Sequence, residues 1–315
     1  RYLDAGADII ETNTFNANAV SLADYGLPKF VKDINRASAR LAVAEVAKRR
    51  KDGRQCWVAG SVGPTNKTLS MSADVDDPAA RDFDFDFLVD AYIEQITVLI
   101  EEGVDIIQIE TIFDTLNAKA AITACEEAMK TTGKKVEIII SVTLTTSGRT
   151  LSGQTLEAFT ASVAHAHPLA IGLNCGFGAE SLEPYVKQLS ALTDAAISLY
   201  PNAGLPNAMG EYDETPEITA SHVSRLIEAK MLNIVGGCCG TTPDHIRAIA
   251  DVAKGKAPRT APVIDRKMRL AGLEMKTVAK ELNFVNIGER CNVAGSRKFL
   301  RLINEKNYDE AVSIA

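Results

Sequence analysis

Short, almost uninterrupted apolar runs rich in β-branched residues recur along the chain, separated by longer stretches with helical periodicity. They are Ala7–Thr12 (ADIIET), Cys56–Ser61 (CWVAGS), Val104–Glu110 (VDIIQIE), Val136–Leu144 (VEIIISVTL), Leu169–Asn174 (LAIGLN), Ala196–Tyr200 (AISLY) and Leu232–Gly237 (LNIVGG). A strand apolar on both faces must be covered on both faces, which is the condition of a parallel sheet. A spacing of roughly 30 to 50 residues leaves one crossover helix per strand, so the chain reads as successive βα units. The helical stretches carry their own punctuation. Leu88, Tyr92, Gln95, Ile96 and Leu99 share one face, and Gly103 closes that helix. Thr215–Pro216 and Thr242–Pro243 are N-cap and N1 pairs. The alternating DFDFDF (Asp82–Phe87) is read as a helix entry.

The opening RYLDAGAD has the character of a helix's last turn with Gly6 at its C-cap, so an eighth strand is expected before Arg1. The expected fold is therefore an α/β (β/α)8 TIM barrel lacking its first strand, with its active site at the carboxyl ends of the strands. A doubly wound open sheet is the other arrangement, but it calls for a glycine-rich dinucleotide loop after an early strand, and the sequence has none. After Lys254 the pattern changes. Residues 1–255 read as the barrel, and the polar, proline-bearing KGKAPRTAPVIDRK opens a linker over 256–283. FVNIGERCNVAGSRKFLRLI then restarts with strand, loop and helix, so 284–315 reads as the first elements of a second barrel.

A chain of 315 residues, 46% hydrophobic and 24% charged, has the balance of a soluble globular protein. A net charge of −7 without a basic cluster argues against nucleic acid as a partner. The apolar runs are too short to span a bilayer, and the N-terminus lacks the features of a signal peptide. Six cysteines in this length do not make a disulfide framework; reduced thiols and a cytoplasmic location are expected.

Two of those cysteines are adjacent, in NIVGGCCGTTPDHI. A disulfide between neighbours would join Cα atoms about 3.8 Å apart, below the roughly 4.4 Å lower edge for ordinary bridges. Two thiolates aimed at one metal is the better reading. Cys175, after the Leu169 strand in GLNCGFG, supplies a third, since strand ends of a barrel open into one mouth. An isolated strand-end cysteine is usually a small buried hydrophobe. Three of them beside glycines, with a helix N-terminus at Pro243, point instead to a metal. Three thiolates leave zinc one ligand short, as in a catalytic site. The negative ligand set makes such a zinc poor at generating hydroxide and suited to a substrate thiol, so thiolate alkylation is the expected reaction class. Cys56, Cys125 and Cys291 lack this setting.

Glu110 ends the Val104 strand, where a carboxylate can hold an amino group in the mouth or simply face the next helix dipole. Asp114 reads as that helix's N-cap. Asn13, Ser61, Gly63 and Asn174 also sit at strand ends and are candidate substrate-binding residues. His165, His167, His222 and His245 all fall in or at the ends of helices, and structural roles are expected for them.

The stretches ETNTF, AGSVGPTN, IETIFDTLNAKAA, GLNCGFG and GGCCGTTPDHI closely resemble the homocysteine-binding domain of the cobalamin-dependent methionine synthase family. FVNIGERCNVAGSRKF resembles the opening of that family's pterin-binding domain. The resemblance implies a (β/α)8 barrel in which Cys175, Cys238 and Cys239 hold Zn2+, the homocysteine sulfur is the fourth ligand and Glu110 lies near its amino group. It implies that Gly295, Ser296 and Arg297 match a loop that touches the folate pterin, although AGSRKF is equally an ordinary helix start capped by Ser296. It further implies a methyl group delivered from methylcobalamin, carried on a cobalamin module absent from this chain and recharged by 5-methyltetrahydrofolate. On this likeness a first strand and its glycine-bearing loop lie before Arg1, and most of the pterin barrel lies beyond Ala315. Two other functions compete: a homocysteine S-methyltransferase using betaine or S-methylmethionine, and a zinc-thiolate redox sensor. The NIGERCNVAGS tail argues against the first. The second calls for a closed site and a resolving cysteine, which the sequence does not offer at the other strand ends.

Overall fold

Each expected apolar run contains a strand, and each strand feeds a helix. β1 (Ile9–Glu11) leads to α1 (Ala19–Ala23) and α2 (Val31–Lys51), and β2 (Trp57–Val62) to α3 (Phe85–Glu101). β3 (Ile106–Ile112) leads to α4 (Thr115–Thr132), β4 (Glu137–Val142) to α5 (Leu156–Val163) and β5 (Ala170–Gly178) to α6 (Ala179–Leu192). β6 (Ala196–Asn202) precedes α7 (Pro216–Glu228), and β7 (Ile234–Val235) precedes α8 (Pro243–Ala253). This is a computed structural model that describes residues 1–72, 74, 76–77, 79–285 and 291–314.

The strands form one parallel sheet in sequence order, β1 through β7, with no pairing between β7 and β1 among the described residues. The sheet curls until its two ends approach. The turn before β1 packs on α8: a Cβ at Gly6 would lie 2.8 Å from that of Ala250, and Tyr2 donates to the Thr241 carbonyl at 3.4 Å. The concave side carries an apolar layer to which every strand contributes one residue: Ile9, Ala59, Ile106, Ile139, Ala170, Ala196 and Ile234. The convex side, covered by the helices, holds the main core around Leu88, Ile96, Ile107, Ile140, Phe159 and Leu199.

Local chemistry explains the helix boundaries. Asp84 caps α3 by accepting the Phe87 N–H, so DFDFDF is a helix entry as expected. Asp114 caps α4 through the Leu116 N–H. Thr242 and His245 form a reciprocal capping box on α8. Several boundaries differ from expectation. β7 is cut to Ile234–Val235, because Gly236 and Gly237 turn the chain into the cysteine pair. β3 and β5 run past their expected ends, to Ile112 and Gly178, each through a register shift. Glu110 and Cys175 therefore lie inside irregular strand ends and not beyond regular ones.

The chain divides into two compact units, Arg1–Arg266 with Leu270–Lys276, and Lys267–Arg269 with Thr277–Ala315. The stretch expected as a linker is not irregular throughout; β8 (Arg269–Ala271) and β9 (Met275–Thr277) form a hairpin. In the second unit, α9 (Arg297–Asn304) and α10 (Tyr308–Val312) bury Phe299, Leu302 and Ala311 against each other. Ser296 caps α9, accepting from the Phe299 N–H at 3.2 Å, and Gly295 and Arg297 are exposed. The NIGER part of the expected second-unit strand and loop, residues 286–290, lies outside the described residues. Among the described residues, no helix is long and apolar enough to cross a membrane.

Candidate metal centre and substrate mouth

Side chains two residues apart on a strand share a face. Two steps beyond the concave apolar layer come Glu11, Ser61, Gln108, Ser141, Gly172 and Ser198, a polar second layer. A further step reaches Glu110, Asn174 and Tyr200, and beyond β7 the same count ends at Cys238. The alternation thus stacks an apolar floor, a polar middle and a reactive rim.

At the rim Cys175, Cys238 and Cys239 converge, their sulfurs all within 4.8 Å of one another. Cys175 Sγ lies 3.8 Å from Cys239 Sγ, and Cys238 Sγ lies 3.9 Å from Cys239 Sγ. Four ligands on a tetrahedron of about 2.3 Å zinc–sulfur bonds sit about 3.8 Å apart, so the spacing fits zinc. The backbone fixes the pair. Cys238 N–H donates to the Pro201 carbonyl at 2.7 Å, Ala203 N–H to the Cys239 carbonyl at 2.9 Å, and Thr241 Oγ1 to the Cys238 carbonyl at 2.7 Å. Cys175 and Cys238 are partly buried and Cys239 is exposed, which leaves the cluster open on one side.

The three thiols divide one negative charge. A hydrogen bond from Cys238, helped by the Gly176 N–H, outweighs burial and brings Cys175 down to about 5. Cys238 is pushed up by donating to Cys175 and by burial, and Cys239 by burial and the Cys175 charge. Sulfurs this close cannot all ionise without a cation between them. A thiophilic cation held among them would let all three do so.

Glu110 is 5% exposed, and its Oε1 accepts from Ser61 Oγ at 2.5 Å. Burial raises its pKa, against the donors Ser61 and Gln108, and the Cys175 charge raises it further. Asn174 joins the two halves of the mouth. Its Oδ1 accepts the Thr111 N–H at 2.9 Å and Ser141 Oγ at 2.6 Å, and its Nδ2 donates to Thr111 Oγ1 at 2.7 Å and faces Cys238 Sγ at 4.0 Å. Tyr200 closes the chain by bonding to Ser141, and burial holds its phenol well above the ordinary range.

The structure therefore brings together Cys175, Cys238, Cys239, Glu110, Ser61 and Asn174. Asn13 is exposed, and its carbonyl accepts from Ser38 at 3.2 Å. At Gly63 a Cβ would fall 2.7 Å from the Phe15 carbonyl oxygen, so this glycine lets the loop after β1 pass close. Gly295, Ser296 and Arg297 belong to the second unit. His245 is buried in its capping box and its Nε2 lies 2.8 Å from the Glu214 carbonyl, a structural role as expected.

Three contributors were not anticipated. Asn202 Oδ1 accepts the Cys239 N–H at 3.2 Å, and its side chain helps to lower the Cys175 pKa. The alternation Ala196, Ser198, Tyr200 would have reached it, had the run been extended two residues. Tyr212 lies beside Cys239, where its hydroxyl favours the thiolate, and its ring is so close over Gly240 that a Cβ there would meet Cγ at 2.3 Å. Thr111 takes a left-handed backbone, φ 56°, which nothing in its residue type announces.

The family model for homocysteine S-methyltransferases matches residues 1–253. Among solved structures, the chain is similar to the homocysteine methyltransferase MmuM from Escherichia coli. Against its metallated form, identity is 24% over 79% of this chain and 81% of that chain, with a TM-score of 0.58. Against its oxidized form, identity is 23% over the same shares, with a TM-score of 0.62. At this identity the likeness speaks to the fold.

Proposed function

The chain belongs to the homocysteine S-methyltransferase family, and from that premise we propose that its first unit binds homocysteine and presents the sulfur for methylation to methionine. The observation that carries this reading is a triad of sulfurs at tetrahedral spacing, open on one side, in the same mouth as the buried carboxylate of Glu110. Cys175, Cys238 and Cys239 would hold a zinc ion, whose positive charge would lower the pKa of an incoming thiol so that its proton is lost to solvent while its sulfur stays nucleophilic.

The chain's own residues do the rest. Glu110 accepts hydrogen bonds from the substrate ammonium, whose charge favours the carboxylate form that burial alone disfavours. Ser61 and Gln108 donate to the Glu110 carboxylate and hold it in place, and its remaining lone pairs take the substrate. Asn174 and Asn202 fix the positions of the sulfurs relative to that carboxylate. In the transfer, a sulfur lone pair forms the new S–C bond as the bond between methyl and donor breaks.

For the donor, the likeness of residues 284–315 to the opening of a pterin-binding domain supports methylcobalamin on another module, recharged by 5-methyltetrahydrofolate. Gly295, Ser296 and Arg297 would then touch the folate. We read residues 1–255 as a (β/α)8 barrel with one strand position open between β7 and β1, 256–283 as its linker and 284–315 as the start of the pterin unit. Direct transfer from S-methylmethionine or betaine is the second reading, favoured by a family match that ends at residue 253. Methionine formation by the zinc-loaded chain, assayed in parallel with methylcobalamin, S-methylmethionine and betaine, tests the reading. Turnover with the first alone supports the assignment, turnover with either of the others selects the second reading, and none with any of them contradicts both.

A further inference from the structure

Residues 270–276, the part of the β8–β9 hairpin that belongs to the first unit, are held within it by specific bonds. The Thr155 N–H donates to the Leu273 carbonyl at 2.9 Å, and Arg149 pairs with Glu274 at 2.5 Å. The segment it grips, residues 143–155 after β4, touches both halves of the site. At its start, Gly176, next to Cys175, approaches so closely that a Cβ would lie 2.9 Å from Thr143 Oγ1 and 3.2 Å from the Leu144 carbonyl oxygen. At its end, Ser152 donates twice to the Phe113 carbonyl, through N–H at 3.3 Å and Oγ at 3.2 Å, three residues past Glu110.

Gln154 joins these layers. Its Oε1 accepts from Thr115 Oγ1 at 2.5 Å, and its Nε2 donates to the hairpin's Gly272 carbonyl at 2.8 Å. Thr115 is buried and opens α4, directly after the segment that carries Glu110. One amide thus spans from the hairpin to the carboxylate's own loop. A cleft of about 440 Å³ lies beside the hairpin, lined by Arg149, Glu157, Tyr185 and Glu274.

We propose that Gln154 is a positioning residue that transmits hairpin docking to the Glu110 side of the mouth, so that the seating of residues 270–276 sets homocysteine affinity. This rests on the proposed function for its substrate and on the geometry alone for its coupling.

A double-mutant cycle on the zinc-loaded full chain tests it, using Gln154→Ala and Glu274→Ala, with homocysteine affinity read by calorimetry and amide exchange read over residues 111–118. Glu274 is an exposed partner, so its variant keeps the test available if Gln154→Ala folds poorly. Each single change is expected to weaken homocysteine binding by about tenfold and to speed exchange in 111–118, at unchanged zinc content. The double variant is expected to be no weaker than the worse single, because both changes cut one route. Additive losses, or faster exchange confined to 270–276 with unaltered affinity, overturn the proposal. If the parent chain binds zinc but no homocysteine, the functional reading fails, and exchange over 111–118 in the Glu274→Ala variant still decides the coupling.

Discussion

Asn174 grips Thr111 with both ends of its amide, accepting the Thr111 N–H at 2.9 Å and donating to its hydroxyl at 2.7 Å. Each partner adjoins a candidate site residue: Thr111 follows Glu110, and Cys175 follows Asn174. Thr111 and Cys175 are both left-handed, at φ 56° and 59°. For non-glycine residues such a backbone costs roughly 1–3 kcal/mol each and persists only where its surroundings over-determine it. Asn174 is that determinant. Asn174→Ala removes both side-chain bonds to the partly buried Thr111 and one of the two bonds of the buried Ser141 hydroxyl, and should destabilise the protein by roughly 2–4 kcal/mol in urea unfolding. A loss below about 0.5 kcal/mol would show that the bracket does not hold the strand ends.

Glu110 gives a pH-dependent test. Burial raises its pKa in the folded state. Such a group binds its proton more tightly folded than unfolded, so its contribution is full below the ordinary carboxyl range and is lost as pH rises through the folded value. Glu110→Gln removes that loss. The variant should melt higher than the parent at neutral pH and converge with it as pH falls into the ordinary carboxyl range. A melting difference independent of pH would contradict the burial argument.

The same substitution removes the proposed partner of the substrate ammonium. Homocysteine affinity should fall roughly 10- to 100-fold, the worth of a charge-assisted hydrogen bond, with zinc content unchanged. Unaltered affinity by calorimetry would take Glu110 out of the substrate site.

Much of this was legible in the sequence because strands buried on both faces write themselves as β-branched runs. The period of two carries the same information inward, from Ile106 through Gln108 to Glu110 and from Ala170 through Gly172 to Asn174. Cys175 and the Cys238–Cys239 pair stood out because glycines and strand ends are both visible in residue order. What stayed hidden depends on tertiary closure. The left-handed turn at Thr111 is imposed by Asn174, 63 residues away. Tyr212 reaches Cys239 only because its loop folds back over Gly240. The hairpin inside a polar stretch that reads as linker is held by Gln154 and Arg149, whose types predict nothing of the kind.

Gly240→Ala tests the Tyr212 contact. A methyl there, at φ 78°, would lie 2.3 Å from Tyr212 Cγ, so the ring or its loop must shift and carry the hydroxyl away from its place beside Cys239. Zinc affinity, measured by chelator competition, should fall about tenfold or more, as for other outer contacts to metal ligands. Tyr212→Phe, which removes only the hydroxyl, should produce a smaller loss. Equal zinc affinity in Gly240→Ala and the parent would exclude Tyr212 from the support of the site.

The remaining buried cysteines are controls. Cys56 and Cys125 are fully buried, Cys125 on α4 in the main core. Cys125→Ser should cost about 1–3 kcal/mol of stability by burying a hydroxyl without a designed partner, and Cys56→Ser a similar amount. Neither should change zinc content; zinc lost from either folded variant would reopen the ligand assignment.

The central claim is that Cys175, Cys238 and Cys239 form an incomplete zinc site finished by the homocysteine sulfur. X-ray absorption at the zinc edge, on the chain with and without homocysteine, measures this directly. The account predicts three sulfur neighbours at about 2.3 Å without substrate and four with it. A shell that already holds four sulfurs, or one that stays at three when saturated with homocysteine, would contradict it.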